Sequence, residues 1–282
     1  MTFIIELIKT VIYGIIEGIT EWLPISSTGH LILFEELFWK NTDPDFMEMF
    51  RVVIQLGAIL AVIVAFWRKL NPFSKHKDAI AKKSTWEMWL KVIIACLPAA
   101  IIGLPFDDNL DALFYNFPTV AVTLILYGII FIIIESIDRK PPKINSISAL
   151  SYKTAALIGA IQLLALIPGT SRSGVTIIGA MLLGCSRSVA AEFSFFLAIP
   201  VMFGASLLKA AKYGMHIASG EVAMITGSQV VILIVGMAVA FIVSIAAIKF
   251  LMSYVKKRNF KPFGYYRVIL GAALLVYYFV FK

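Results

Sequence analysis

A run of about 20 apolar residues can satisfy its own backbone in lipid only as a helix. This chain has six such runs, at residues 50–67, 88–106, 115–134, 189–208, 222–248 and 265–281. The rest of the composition agrees. Of 282 residues, 60% are hydrophobic and 15% charged, with a mean hydropathy of +0.89, whereas soluble domains carry about 25% charged residues. So few charges cannot cover a soluble globule, and disorder needs the opposite balance. The net charge of +8 could point to nucleic acid, but its placement, described next, assigns it to loops at a membrane surface. Cys96 and Cys185 each lie inside an apolar stretch and are expected to be core residues, since a disulfide framework or thiolate metal site needs more cysteines at close spacing. The N-terminal residues lack a basic segment followed by a cleavage site, so they are expected to be part of the mature protein.

Four further apolar pieces, 3–22, 26–39, 154–167 and 172–186, are too short or too polar to cross alone. They form two pairs, each broken at a proline followed by small hydroxylated residues: Pro24-Ile25-Ser26-Ser27-Thr28-Gly29-His30 and Pro168-Gly169-Thr170-Ser171-Arg172-Ser173-Gly174. Proline ends the helix before it and serine caps the next. Each pair is therefore expected to be a re-entrant hairpin with a polar tip; the plainer alternative is one kinked span. Lysine and arginine favour cytoplasmic loops. Segments 68–91, 135–153 and 249–262 carry seven, four and five of them, while 107–117 has none and holds Asp107, Asp108 and Asp111. With the basic loops inside, each half is one hairpin plus three spans. Three is odd, so the second half is expected to be inserted upside down. Weak internal similarity agrees: Gly14, Glu17 and Gly29 precede Gly159, Gln162 and Gly174 by 145 residues, and Pro24 and Ser27 precede Pro168 and Ser171 by 144. The expected fold is an all-α polytopic membrane protein with inverted-topology repeats, six transmembrane helices and two re-entrant helical hairpins. It forms a single integral membrane domain over 1–282, with repeat one at 1–138, a linker at 139–143 and repeat two at 144–282. Such inverted repeats with broken helices place a site at the repeat interface.

Ionisable groups inside membrane segments are costly and mark functional sites. Glu17 and Glu21 stand four apart on one helical face. Two such carboxylates favour a shared proton or a divalent cation, unless both simply face a polar cavity. His30 follows Ser26 and Ser27 by four and three residues. Arg172 stands at a helix start among Thr170, Ser171, Ser173 and Thr176. Helix N-termini and guanidinium groups both suit a phosphate, although Arg172 could instead pair with Glu21 or Glu17. Glu48, Arg51, Gln55, Glu192 and Ser194 are weaker inward candidates, and Glu35 and Glu36 are expected at the interface. There is no Walker A loop, CxxC pair or HExxH. Ser171-Arg172 and Gly29-His30 fit part of the phosphatidic-acid phosphatase pattern, but Ile178 stands where that pattern needs histidine.

Glu17-Gly18-Ile19-Thr20-Glu21 followed by Pro24 to His30, and Pro168-Gly169-Thr170-Ser171-Arg172-Ser173-Gly174-Val175-Thr176, together resemble the two motifs of the undecaprenyl-diphosphatases of the bacitracin-resistance type. The resemblance runs essentially the whole length. It implies hydrolysis of undecaprenyl diphosphate to undecaprenyl phosphate and inorganic phosphate, recycling the lipid carrier for peptidoglycan synthesis. It further implies a location in the bacterial cytoplasmic membrane with the site toward the outer face, and stimulation by Mg²⁺ or Ca²⁺. By motif, Glu17, Glu21, Ser27, His30 and Arg172 would be catalytic. Ser26, Thr28, Thr170, Ser171, Ser173, Gly174 and Thr176 would bind substrate, and Glu17 and Glu21 would hold the metal. The working mechanism has Ser27 attack phosphorus while His30 takes its proton; the rival is an activated water. Nucleic acid is not an expected partner, and a homodimer is left open. A polyprenyl-phosphate flippase or secondary transporter would share the architecture, and release of phosphate from a polyprenyl diphosphate separates the two.

Overall fold

The computed structural model describes residues 2–39, 43–103, 105–106, 113–114, 116–137, 141–220, 222 and 224–281. Asp107, Asp108 and Asp111 of the acidic loop, and Arg139 and Lys140 of the linker, lie outside the described residues. Among those described there is no strand, only one isolated bridge between Ile144 and Cys185. Among the described residues, six helices are long and apolar enough to cross a membrane.

The first pair of short helices is α1 (Thr2–Thr20) and α2 (Ser27–Phe38). Next come α3 (Pro44–Ala65), the single turn α4 (Trp67–Leu70), α5 (Ala79–Pro98) and α6 (Phe117–Ser136). Pro98 cannot donate to the ladder, and α5 continues as a wide π turn over Ala99–Gly103. The second pair is α7 (Tyr152–Gln162), tightened at its end by a 3-10 turn at Leu163–Leu166, and α8 (Arg172–Leu182). The long spans α9 (Arg187–Ser219), α10 (Gly227–Tyr254) and α11 (Lys261–Phe281) complete the chain. Both pairs break where proline and hydroxyl residues were expected to break them.

Helices exchange partners between the halves. Helix α1 packs on α10 and α7 packs on α5; α3 meets α10 and α9 meets α5. Helices α3 and α9 face each other, as do α6 and α11. If α1, α2, α3, α5 and α6 are matched in order with α7 to α11, every one of these contacts maps onto another or onto itself. The residues explain the close approaches. A Cβ at Gly14 would lie 2.9 Å from the Gly236 carbonyl oxygen of α10, and one at Gly159 would lie 2.1 Å from the Ala95 carbonyl oxygen of α5. Glycine at these two positions, 145 apart, lets each short helix lie against the span that crosses it. The main core is built by both halves: Trp22, Ala58 and Val62 from the first meet Ile177, Phe193, Phe195 and Phe196 from the second. Outward, lipid-facing leucines and isoleucines stay exposed, as on Leu126 and Ile133 of α6 and Ile234 and Ile242 of α10.

Candidate active site

The two hairpin tips meet in the middle of the bundle, and the backbone makes both in the same way. Ser26 (φ 71°) and Ser171 (φ 74°) are the described non-glycine residues with positive φ, a conformation costing of order 1–3 kcal/mol. Each then caps the helix it precedes. The Ser26 hydroxyl accepts from the Gly29 N–H at 3.3 Å, and the Ser171 hydroxyl from the Gly174 N–H at 3.1 Å. Side-chain caps of this kind are worth about 1 kcal/mol. The turn before Ser171 needs Gly169, whose φ is +85° and whose Cβ position would lie 2.1 Å from the Thr123 hydroxyl. That hydroxyl donates to the Pro168 carbonyl at 2.7 Å and ties α6 to the tip.

Across the tips, Glu21 and Arg172 form a largely buried ion pair at 2.7 Å. The other Glu21 oxygen accepts from the Ser27 hydroxyl, also at 2.7 Å. Arg172 is held in place by the Ser194 carbonyl at 2.9 Å and by the Trp22 ring, 5.6 Å from its guanidinium carbon. Arg172 thus pairs with Glu21, as one of the two readings of it expected, and also lines a cavity. That cavity, of about 220 Å³, is lined by Glu21, Ser26, Ser27, Thr28, Ser171 and Arg172, with Gln55. A second one, of about 540 Å³, shares Ser27, Thr28 and Gln55 and adds Glu17, Glu48, Arg51 and Lys209. Arg51 stands near the start of α3 and Lys209 toward the end of α9, so the outer cavity points away from the basic loops. A larger cavity of about 920 Å³ around Glu135 and Lys143 lies at the basic end and has none of these groups.

Several expected binders turn out to hold the tips rather than line the space. Ser173 donates to the Glu21 carbonyl at 3.1 Å and is buried. Thr176 donates to the Arg172 carbonyl at 2.8 Å and lies 2.6 Å from the Ser194 hydroxyl, with no exposure. Thr170 is equally buried, and the Gly174 N–H is spent on the Ser171 cap. Ser173, Thr176 and the Gly174 N–H thus brace the tips. His30 also departs from its expected role as base for Ser27. Its Nδ1 lies 2.8 Å from the Ser26 carbonyl, and its Nε2 lies 2.6 Å from the Tyr266 hydroxyl, with the two rings stacked. A carbonyl can only accept, so Nδ1 carries the proton and Nε2 faces tyrosine. The acceptor within reach of the Ser27 hydroxyl is Glu21. Glu35, expected at the interface, instead turns inward to accept from the Arg51 Nε at 2.8 Å and from the Tyr13 hydroxyl at 2.7 Å.

Arg267 lies outside both motifs. Fully buried in α11, it donates to the Gly169 and Thr170 carbonyls at 2.9 Å and to the Pro24 carbonyl at 3.4 Å. One guanidinium thus joins both tips, between the rings of Tyr127 and Phe131. An arginine within the last apolar run is itself the signal that would have found it. The described residues contain no cluster of three or more histidine, cysteine or acidic side chains fit for a metal. The oxygen donors of Glu17, Glu21, Ser27 and Gln55 do suit a hard cation that takes its remaining ligands from phosphate and water.

The profile of a family described as "Bacitracin resistance protein BacA" matches residues 10–273. An undecaprenyl-diphosphatase of Acetivibrio thermocellus is 58% identical over 275 residues, spanning 97% of this chain and 98% of the relative. Those of Desulfitobacterium hafniense and Enterococcus faecalis are 56% and 60% identical, over 98% and 96% of this chain and 97% and 96% of theirs.

Proposed function

Because the chain belongs to the bacitracin resistance protein BacA family, we propose that it does what its relatives' name describes: it hydrolyses undecaprenyl diphosphate. The products are undecaprenyl phosphate and inorganic phosphate. The observation that carries the mechanism is the bridge Ser27–Glu21–Arg172, which sets a hydroxyl, its proton acceptor and a guanidinium on one cavity at two helix N-termini.

The terminal phosphate enters the inner cavity, where Arg172 exchanges part of its pairing with Glu21 for phosphate oxygens. The N-termini of α2 and α8 add their dipoles. The Ser27 oxygen attacks the terminal phosphorus as its proton passes to Glu21. The bond from that phosphorus to the bridging oxygen breaks, and undecaprenyl phosphate leaves with the bridging oxygen. Water then cleaves the serine ester and releases inorganic phosphate. A Mg²⁺ or Ca²⁺ ion held by Glu17 and Glu21 would neutralise charge on the diphosphate. Arg51 and Lys209, at the outer cavity, attract the anionic head and leave the polyprenyl chain to the lipid side. His30 is a positioning residue here: it anchors the Ser26 carbonyl, and so the tip that carries Ser27.

The reading extends to the membrane. Sixteen of the 25 lysines and arginines fall in 68–91, 135–153 and 249–262, which supports a cytoplasmic-membrane protein with those loops inside and the site open to the outer face. The exchange of helix partners supports two inverted repeats, 1–138 and 144–282. The test is phosphate release from undecaprenyl diphosphate with Ser27→Ala, run in ¹⁸O-water with rapid quench. The expected result is a fall in kcat of about a thousandfold or more, with a phosphoserine trapped in the parent protein. A variant that turns over freely with no phosphoenzyme overturns the serine route in favour of direct attack by water.

A further inference from the structure

The end of the bundle away from the active site holds a second place built for an anion. A cavity of about 470 Å³ opens where α4, α5, the 145–148 segment and the start of α9 converge. Arg68, Lys69, Lys77 and Lys91 line it, with Glu192 as the one carboxylate among its lining residues. Ser188, in the first turn of the 33-residue α9, brings that helix's N-terminus to the same space, where the dipole favours negative charge. Counted along α3 into α4, Arg51 at the outer cavity and Arg68 here are separated by about 25 Å of rise.

The charge at this place is under-compensated. Glu192 is engaged by Lys69 at 2.7 and 2.8 Å. Lys91, with 4% of its surface exposed, is held by two neutral carbonyls, those of Ile147 and Ser148 at 3.2 and 3.1 Å, and lies over the Tyr152 ring. Glu87, one turn before it on α5, adds an attractive field from the other side. Lys77 donates to the Lys69 and Asn71 carbonyls and to the Thr85 hydroxyl, and loss of hydration lowers its pKa below that of an ordinary lysine. The adjacent Asp78 is turned away to cap α5 at the Ala81 N–H. Arg68 is exposed and extends into the same opening. Four cations, one engaged carboxylate, a helix N-terminus and the hydroxyls of Ser146 and Ser148 are the groups a phosphate needs.

We propose that this cavity binds a phosphate group, as a lipid headgroup or as free phosphate, at the basic end of the bundle. It sits where juxtamembrane cations meet anionic lipid, and it shares no lining residue with the two cavities of the active site.

Hydrogen–deuterium exchange on the intact protein tests this, because it reads the two ends separately. Purified protein in neutral phosphatidylcholine nanodiscs is given inorganic phosphate, and in a second arm the nanodiscs contain phosphatidic acid. Amides of 77–85 and 145–150 should gain protection in at least one arm, and the arm that gives it names the source. The double variant Arg68→Gln/Lys69→Gln should weaken that protection by about tenfold in phosphate concentration, while 169–174 still responds and phosphatase activity is unchanged. Lys82→Gln/Lys83→Gln, with charges near the start of α5 but outside the cavity lining, should bind like the parent. If the first double variant does not fold, Ser188→Asp puts a carboxylate at a favourable helix position and should abolish the protection alone. Absence of protection in both arms overturns the site, and equal loss in the Lys82/Lys83 variant reduces it to general surface charge.

Discussion

The first and second hairpin tips are the same backbone carrying opposite chemistry. Each has a proline, a strained serine at φ 71° or 74°, and a hydroxyl cap three residues on. Position by position, the side chains diverge. The first tip offers Glu17, Glu21 and the Ser27 hydroxyl; the second has Gln162 where Glu17 stands, and Arg172 one residue after its capping serine. Two like tips thus bring two helix N-termini to one space, one tip bearing the carboxylates and the other the cation. The Glu21–Arg172 pair and the three carbonyl contacts of Arg267 are what make them one site.

The largest effect should come from cutting that link. Glu21→Gln removes both the acceptor for Ser27 and the counter-charge of Arg172, so phosphate release should fall by about a thousandfold or more. Arg172→Lys keeps the charge and loses the fork, and should cost about a hundredfold. Because the two act as a unit, the double variant should be little worse than Glu21→Gln alone. If the two losses instead multiply, the tips work separately and the comparison breaks. Leaving either charge buried without its partner also destabilises by about 3–5 kcal/mol, so thermal melts must accompany the kinetics.

A smaller effect separates His30 from the nucleophile chemistry. Its ring donates to the Ser26 carbonyl and meets Tyr266, not Ser27. Asparagine can reproduce the Nδ1 donor but cannot act as a base. His30→Asn should therefore keep activity within about tenfold of the parent, whereas His30→Ala, which orphans a tip carbonyl, should lose more. Equal and severe losses in both would restore His30 as the proton acceptor.

What could be read from the sequence follows the range of the interactions. The breaks at Pro24 and Pro168, the capping serines, and the facing Glu17 and Glu21 are local, set within a few residues by backbone rules. Ser173 and Thr176 look like phosphate ligands in a motif, but in the fold their hydroxyls donate to the Glu21 and Arg172 carbonyls. Arg267 and Tyr266 reach the tips from 236 to 243 residues away along the chain from His30 and Pro24. No periodicity or motif spacing connects them. Only the inverted packing that puts α11 against α6 does so, and that arrangement emerges when both halves are assembled.

The smallest effect tests the shared backbone directly. If the tips are one device used twice, Ser26→Ala and Ser171→Ala should each remove a cap and keep the strain, costing about 1 kcal/mol apiece. Ser26→Gly and Ser171→Gly should also lose the cap, but glycine accepts positive φ without penalty. Those two should sit at or above the alanine variants in thermal melts, by about 1 kcal/mol. The prediction concerns matching between sites: both alanine variants below parent, both glycine variants above alanine. If one tip tolerates alanine while the other does not, its serine is held by the active-site side chains rather than by helix capping. The resemblance between the hairpins would then be one of sequence alone.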